Sequence, residues 1–196
     1  MHRVCVFCGS SPGARPEYRQ AAERLGQILV ERKLGLVYGG ARVGLMGKLA
    51  ETVFHAGGEV IGVIPAALVE KEVAFKELHD LRVVDTMHER KALMAELADG
   101  FLALPGGLGT LEEFLEVLTW GQLGMHAKPC GILNVNGYFD HLLAFMDRAV
   151  TDTFVREEHR SMLLVHEDPA QLLNLFDTYQ PPTLDKAHWI LSINNL

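Results

Sequence analysis

The sequence predicts a single α/β domain, a Rossmann-like three-layer fold in which a mostly parallel sheet of about seven strands is flanked by helices. Two observations predict it. Short β-rich apolar runs alternate with amphipathic helical stretches along the chain, and glycine-rich turns follow several of those runs. The 196 residues, 48% of them apolar, are enough for one compact core and too few for two.

The periodicity places strands at Val4 to Cys8, Leu34 to Tyr38, Val60 to Ile64, Leu81 to Val84, Phe101 to Leu104, Gly131 to Val135 and Leu163 to His166. Helices are expected over Glu17 to Arg32, Gly44 to Ala56, His88 to Ala98, Leu111 to Leu123, Asp140 to Thr151 and Pro169 to Thr178. Thr86-Met87-His88-Glu89 and Thr110-Leu111-Glu112-Glu113 both read as Thr-x-x-Glu capping boxes, so two helix starts are marked directly. Right-handed crossovers bring the loops after the strands to one edge of the sheet, where open α/β sheets bind ligands. The domain is expected over residues 1–180. Residues 181–196, opening on Pro181-Pro182, read as a tail that packs on the surface or on a partner.

A net charge of −7 argues against a nucleic-acid surface, which needs clustered Lys and Arg, but is compatible with a single mononucleotide. Three cysteines, Cys5, Cys8 and Cys130, make no disulfide framework and fit a reducing cytoplasm. The first strand starts so early that no export signal is expected, and no apolar run approaches the ~20 residues of a membrane span. Cys5 and Cys8 point to opposite faces of an extended strand and are read as core. The nine histidines show no compact ligand spacing, with His88, His159 and His166 read as surface or cap residues, and no metal is assigned.

The chemistry concentrates in three loops. Pro105-Gly106-Gly107-Leu108-Gly109-Thr110 lies between an apolar strand and a helix, the arrangement in which unpaired backbone N–H groups and the helix dipole hold an anion such as phosphate. Cys8-Gly9-Ser10-Ser11-Pro12-Gly13 offers amides and the Ser10 hydroxyl, although turn chemistry alone also explains it. Gly39-Gly40-Ala41-Arg42-Val43-Gly44 is neither a dinucleotide fingerprint nor a Walker A loop, since the glycine order differs and Gly47-Lys48 is followed by Leu49; Lys48 reads as a solvated helix residue. Three such loops on one edge predict a nucleotide-sized polar site.

Two charged residues stand out beside the loops. Arg90 shares a helix face with Met87, Met94 and Leu97, so it needs an anion, either a phosphate or a carboxylate such as Glu89 or Asp85. Glu113 fits the capping box of Thr110, but a carboxylate competing with phosphate at that helix start is better placed facing a sugar. Glu112 and Glu116 read as the outer face of the same helix.

The combination of Gly39-Gly40, Gly44-Leu45-Met46-Gly47, Met87-His88-Glu89-Arg90-Lys91 and Pro105-Gly106-Gly107-Leu108-Gly109-Thr110-Leu111-Glu112-Glu113 resembles the LONELY GUY family of cytokinin-activating phosphoribohydrolases, often labelled lysine decarboxylases. The resemblance extends from Cys8 through Thr119-Trp120 and Gln122-Leu123-Gly124 to Asn134-Val135-Asn136-Gly137-Tyr138. It implies hydrolysis of AMP or an N6-modified AMP to free base and ribose 5-phosphate, without a cofactor, by a cytoplasmic homodimer. Arg90 and Glu113 take the family's functional arginine and glutamate, Glu113 acting at the anomeric carbon and Arg90 holding phosphate or ribose and steadying Glu113. The implied substrate contacts are Ser10, Gly39, Gly40, Gly44, Met87, Lys91, Met94, Gly106, Gly107, Gly109 and Thr110, and no nucleic acid or membrane is an expected partner. Ala41 departs from the family's three successive glycines and predicts a slightly altered fit. A non-catalytic nucleotide or cofactor carrier of the same fold is the alternative. A pyridoxal-dependent decarboxylase would need Lys48 or Lys91 as its Schiff-base lysine, and neither has a supporting motif.

Overall fold

A computed structural model describes residues 1–69 and 74–182. Strands and helices run β1 (Arg3–Phe7), α1 (Pro16–Glu31), β2 (Gly35–Tyr38), α2 (Gly44–His55), β3 (Val60–Pro65), β4 (Asp80–Val84), α3 (Met87–Leu97), β5 (Gly100–Ala103), α4 (Leu108–Gln122), β6 (Cys130–Leu133), α5 (Asp140–Thr151), α6 (Glu157–Arg160), β7 (Leu163–His166) and α7 (Pro169–Thr178). The tail expected over 181–196 lies, beyond Pro182, outside the described residues.

All seven strands join one sheet in the order β4-β3-β2-β1-β5-β6-β7, and every pairing is parallel. The chain builds outward from β1 to one side and then restarts at β5 on the other. Cys5 is therefore in register with Val37 on one neighbour and Phe101 on the other. Helices cover both faces, which is why the central strands read as unbroken apolar runs. Alternate residues supply the two cores. Val4, Val6, Leu36, Tyr38 and Leu102 pack with α1, α2 and α7, whereas Cys5, Phe7, Val37, Phe101 and Ala103 pack with Met94 of α3 and Phe114 of α4.

Three helix starts differ from expectation, α1 by a single residue at Pro16. α3 begins at Met87, one residue early, with Thr86 Oγ1 accepting the Glu89 N–H at 3.1 Å as the capping box requires. α4 begins at Leu108, a turn before the expected Leu111, because Gly107 takes the extended N-cap conformation. Thr110 is thus a buried first-turn residue and not a cap. The short α6 was not foreseen; four residues carry too little periodicity to register.

Candidate functional site

Where the strand order turns back between β1 and β5, their following loops separate and open a crevice at the carboxyl edge of the sheet. Backbone groups stitch its floor. Gly9 N–H donates to Pro105 O at 3.0 Å, and Leu45 N–H, at the start of α2, donates to Gly9 O at 3.0 Å. A cavity of about 310 Å³ opens beside this floor, lined by Gly9, Ser10, Tyr18, Leu45, Gly107 and Tyr138 among others. Ser10, Gly106 and Gly107 were expected here. Tyr18 and Tyr138 were not assigned to the site, although Tyr138 belongs to a turn that follows β6 on the same edge.

The glycines of the third loop differ in what they answer to. A Cβ on Gly106 would collide with Thr110 Oγ1 and reach 2.8 Å from Gly9 N, so packing alone requires glycine there. A Cβ on Gly107 or Gly109 would meet nothing within 4 Å. The first intrahelical bond of α4 runs from Leu111 N–H to Gly107 O at 3.2 Å, so the amides of Leu108, Gly109 and Thr110 precede the ladder and have no acceptor within it. Gly107 and Gly109 thus leave open space beside these amides.

In the second loop the requirement comes from Arg90. A Cβ on Gly39 would strike the Arg90 guanidinium, and Gly40 holds a positive φ of 79°. Gly44 closes the loop against Ser10, where any side chain would strike the Ser10 backbone. Ala41 is fully buried in the core beneath α1 and α2 and forms an antiparallel bridge with Ala74. Its methyl therefore faces the protein interior. Arg42 ties this loop down by pairing with Glu51 at 2.9 Å and with Glu77, and by lying over the Phe75 ring at 4.7 Å.

Arg90 is 5% exposed, and its guanidinium pairs with one carboxylate and donates to two carbonyls. Nη1 meets Glu113 Oε1 at 3.1 Å, Nε donates to Val63 O at 3.1 Å and Nη2 donates to Gly39 O at 3.2 Å. The anion that Arg90 needs is thus Glu113 of α4, and not Glu89 or Asp85. Glu89 instead accepts from Asp85 N–H at 3.0 Å. Because α4 starts a turn early, Glu113 does not close a capping box on Thr110; its side chain, 13% exposed, turns toward α3.

The other expected residues fall at different depths. Met87, 41% exposed, lies with its sulfur 3.8 Å from Arg90 Nη1. Met94 is 1% exposed and packs in the core under α4, below the surface of the crevice. Lys91 Nζ is held by Glu112 at 2.6 Å and Glu116 at 2.9 Å, so those two glutamates, expected to face outward, clamp α4 to α3. These hydrogen bonds to Glu112 and Glu116 raise the Lys91 pKa and keep its amine protonated. Lys48, read as solvated, pairs with Glu23 of α1 at 3.0 Å. His159 is a buried residue rather than a surface one and meets Gln122 Nε2 at 3.0 Å. All three cysteines are free and buried, and burial pushes the thiols of Cys5 and Cys8 upward and that of Cys130 to about 12. None is disposed to form a thiolate nucleophile.

Fold and site together define an open, doubly wound α/β protein with a ligand crevice at its switch point and a buried Arg–Glu pair beside a glycine-rich helix start. Comparison with known proteins makes this particular. The family model described as "Possible lysine decarboxylase" matches residues 46–176. A protein of Oryza sativa subsp. japonica named probable cytokinin riboside 5′-monophosphate phosphoribohydrolase LOGL9 is 55% identical over 179 residues, 91% of this chain and 79% of its own. The Arabidopsis thaliana cytokinin riboside 5′-monophosphate phosphoribohydrolase LOG7 is 49% identical over 91% of this chain and 82% of its own. The chain belongs to this family, in which the LONELY GUY proteins carry the phosphoribohydrolase name and the family model the decarboxylase one. Its fold also matches the molybdenum cofactor binding protein of Rippkaea orientalis, with a TM-score of 0.68 at 23% identity over 90% of this chain and 96% of the other.

Proposed function

We propose that this protein hydrolyses the N-glycosidic bond of adenosine 5′-monophosphates, N6-modified ones included, to the free base and ribose 5-phosphate. The carrying observation is the buried Arg90–Glu113 pair, 3.1 Å apart, within two turns of a helix start whose glycines face open space. The names of the relatives at 55% and 49% identity support the same chemistry.

In this reading the phosphate sits on the amides at the start of α4, with Gly106, Gly107, Gly109 and Thr110 around it, where the helix dipole favours negative charge. Glu113 then lies toward the ribose. Cleavage of the glycosidic bond builds oxocarbenium-like positive charge on the sugar, and a fixed carboxylate stabilises it without having to reorganise. Glu113 also orients the attacking water, whose oxygen bonds to the anomeric carbon while its proton ends on the departing base. Arg90 keeps its charge and gives no proton; it holds Glu113 in place through one nitrogen while Gly39 and Val63 hold the guanidinium through the others. Binding energy at the phosphate positions the distant bond, so nucleosides without phosphate are poor substrates.

The decarboxylase name finds no support in Lys48 or Lys91. Schiff-base chemistry needs a neutral amine, and Lys91 is kept charged between two carboxylates while Lys48 is paired with Glu23. Exposed apolar side chains at Leu123, Met125, Phe145 and Phe154 support a homodimer, and three free thiols support a cytoplasmic setting. The deciding experiment incubates the protein with AMP, with isopentenyl-AMP and, separately, with lysine and pyridoxal phosphate, and separates the products by chromatography. Free base and ribose 5-phosphate are expected in equal amounts. Binding without base release would favour the carrier, and carbon dioxide from lysine would restore the decarboxylase.

A further inference from the structure

Tyr138 lines the crevice and has no part in the proposed chemistry. Its hydroxyl donates to Gly106 O at 2.6 Å, across 32 residues of sequence. The turn that carries it is tightly braced. Asn134, 7% exposed, accepts the Phe139 N–H at 2.8 Å and donates to Asp140 Oδ1 at 2.7 Å, while Asn136 and Gly137 take positive φ values of 50° and 70°. The Tyr138 ring packs edge-on against Tyr18 at 5.4 Å and Phe139 at 4.9 Å. Asparagine and rings together fix the direction in which the hydroxyl points.

Its acceptor matters more than its wall position. In a trans peptide the carbonyl of one residue and the N–H of the next point in opposite directions from a rigid plane. Pro105 O is taken by Gly9 N–H at 3.0 Å, which fixes the Pro105–Gly106 plane, and Gly106 O is taken by Tyr138, which fixes the Gly106–Gly107 plane. The Gly107 amide belongs to that second plane. Glycine on both sides gives the plane little torsional restraint of its own, so an external donor is what holds it.

We propose that Tyr138 is a positioning residue for phosphate binding: by holding Gly106 O it aims the Gly107 N–H at a phosphate monoester on the start of α4. This rests on reading that loop as the phosphate cradle. An amide aimed in advance costs no reorganisation when the anion arrives.

The test compares full-length wild type with Tyr138→Phe, which keeps both ring contacts and removes only the hydroxyl. Ribose 5-phosphate affinity is measured by calorimetry, and kcat and KM are measured for AMP and for adenosine. The expected result is roughly tenfold weaker ribose 5-phosphate binding and a similar rise in KM for AMP, with kcat/KM falling several-fold less for adenosine than for AMP. Equal losses on AMP and adenosine would mean a general packing defect and overturn the proposal, as would unchanged ribose 5-phosphate affinity. If the wild type binds ribose 5-phosphate but releases no base from AMP, the hydrolase reading fails while the calorimetric comparison still decides the role of Tyr138. No binding of ribose 5-phosphate by the wild type overturns both.

Discussion

Arg90 holds a carboxylate and two backbone carbonyls from three different elements, so it couples the site to the sheet rather than decorating it. Glu113 joins it from α4, and Gly39 leaves the room it needs. Removing the cation takes its charge from a nearly buried carboxylate and its hydrogen bonds from two carbonyls. Arg90→Ala should therefore cost about 3–5 kcal/mol in urea unfolding. Arg90→Lys keeps the charge but not the planar fork, so it should cost less in stability yet still reduce turnover by roughly a hundredfold through misplacement of Glu113. A loss under about 1 kcal/mol for the alanine variant would show that the pair is not the buried brace described. Sequence marked Arg90 because a charge on an apolar helix face demands a partner. The residues alone did not name the partner, since Glu113 is on another helix and its local pattern advertised a cap; the family resemblance did, by setting Arg90 to steady Glu113. Tyr138 left no local mark at all, its acceptor being a backbone carbonyl of another loop.

The elements were legible where periodicity is long and caps are made by side chains. Thr86 announced α3, whereas the glycine that caps α4 carries no side-chain signal, and the helix was placed a turn late. The outward reading holds for Glu112, whose side chain is 55% exposed, and fails in part for Glu116, at 29%, because a helical stripe says which residues share a face, not which neighbouring helix supplies a lysine. α4 is tied at its other end by His126. The ring Nε2 meets Val117 O at 2.7 Å and Nδ1 accepts the Lys128 N–H at 3.1 Å, which defines a neutral ring with its proton on Nε2. Burial, helped by the nearby Lys128 charge, lowers its pKa below the usual 6.5. A base whose folded pKa is depressed contributes stability that is complete above its unfolded pKa and is lost as pH falls through the folded one. The melting temperature of the wild type should thus fall between pH 7 and pH 5 by more than that of His126→Gln. Identical slopes for the two proteins would remove His126 from the account.

At the scale of the molecule, strand and helix alternation predicted the parallel α/β architecture, and the glycine loops did fall on one edge. What periodicity could not supply was the strand order, and it is the reversal between β1 and β5 that opens the crevice and brings Gly9, Gly106 and Tyr138 together. One sheet thus sets a glycine-rich helix start beside a carboxylate braced by an arginine that reaches back to β3 and the end of β2. The central claim is that this carboxylate drives cleavage of the glycosidic bond. It is tested most directly by measuring base release from AMP by wild type and Glu113→Gln, with ribose 5-phosphate affinity as the control for a formed site. The account predicts a fall in kcat of roughly a thousandfold with ribose 5-phosphate still bound. Near-normal turnover in Glu113→Gln would contradict it.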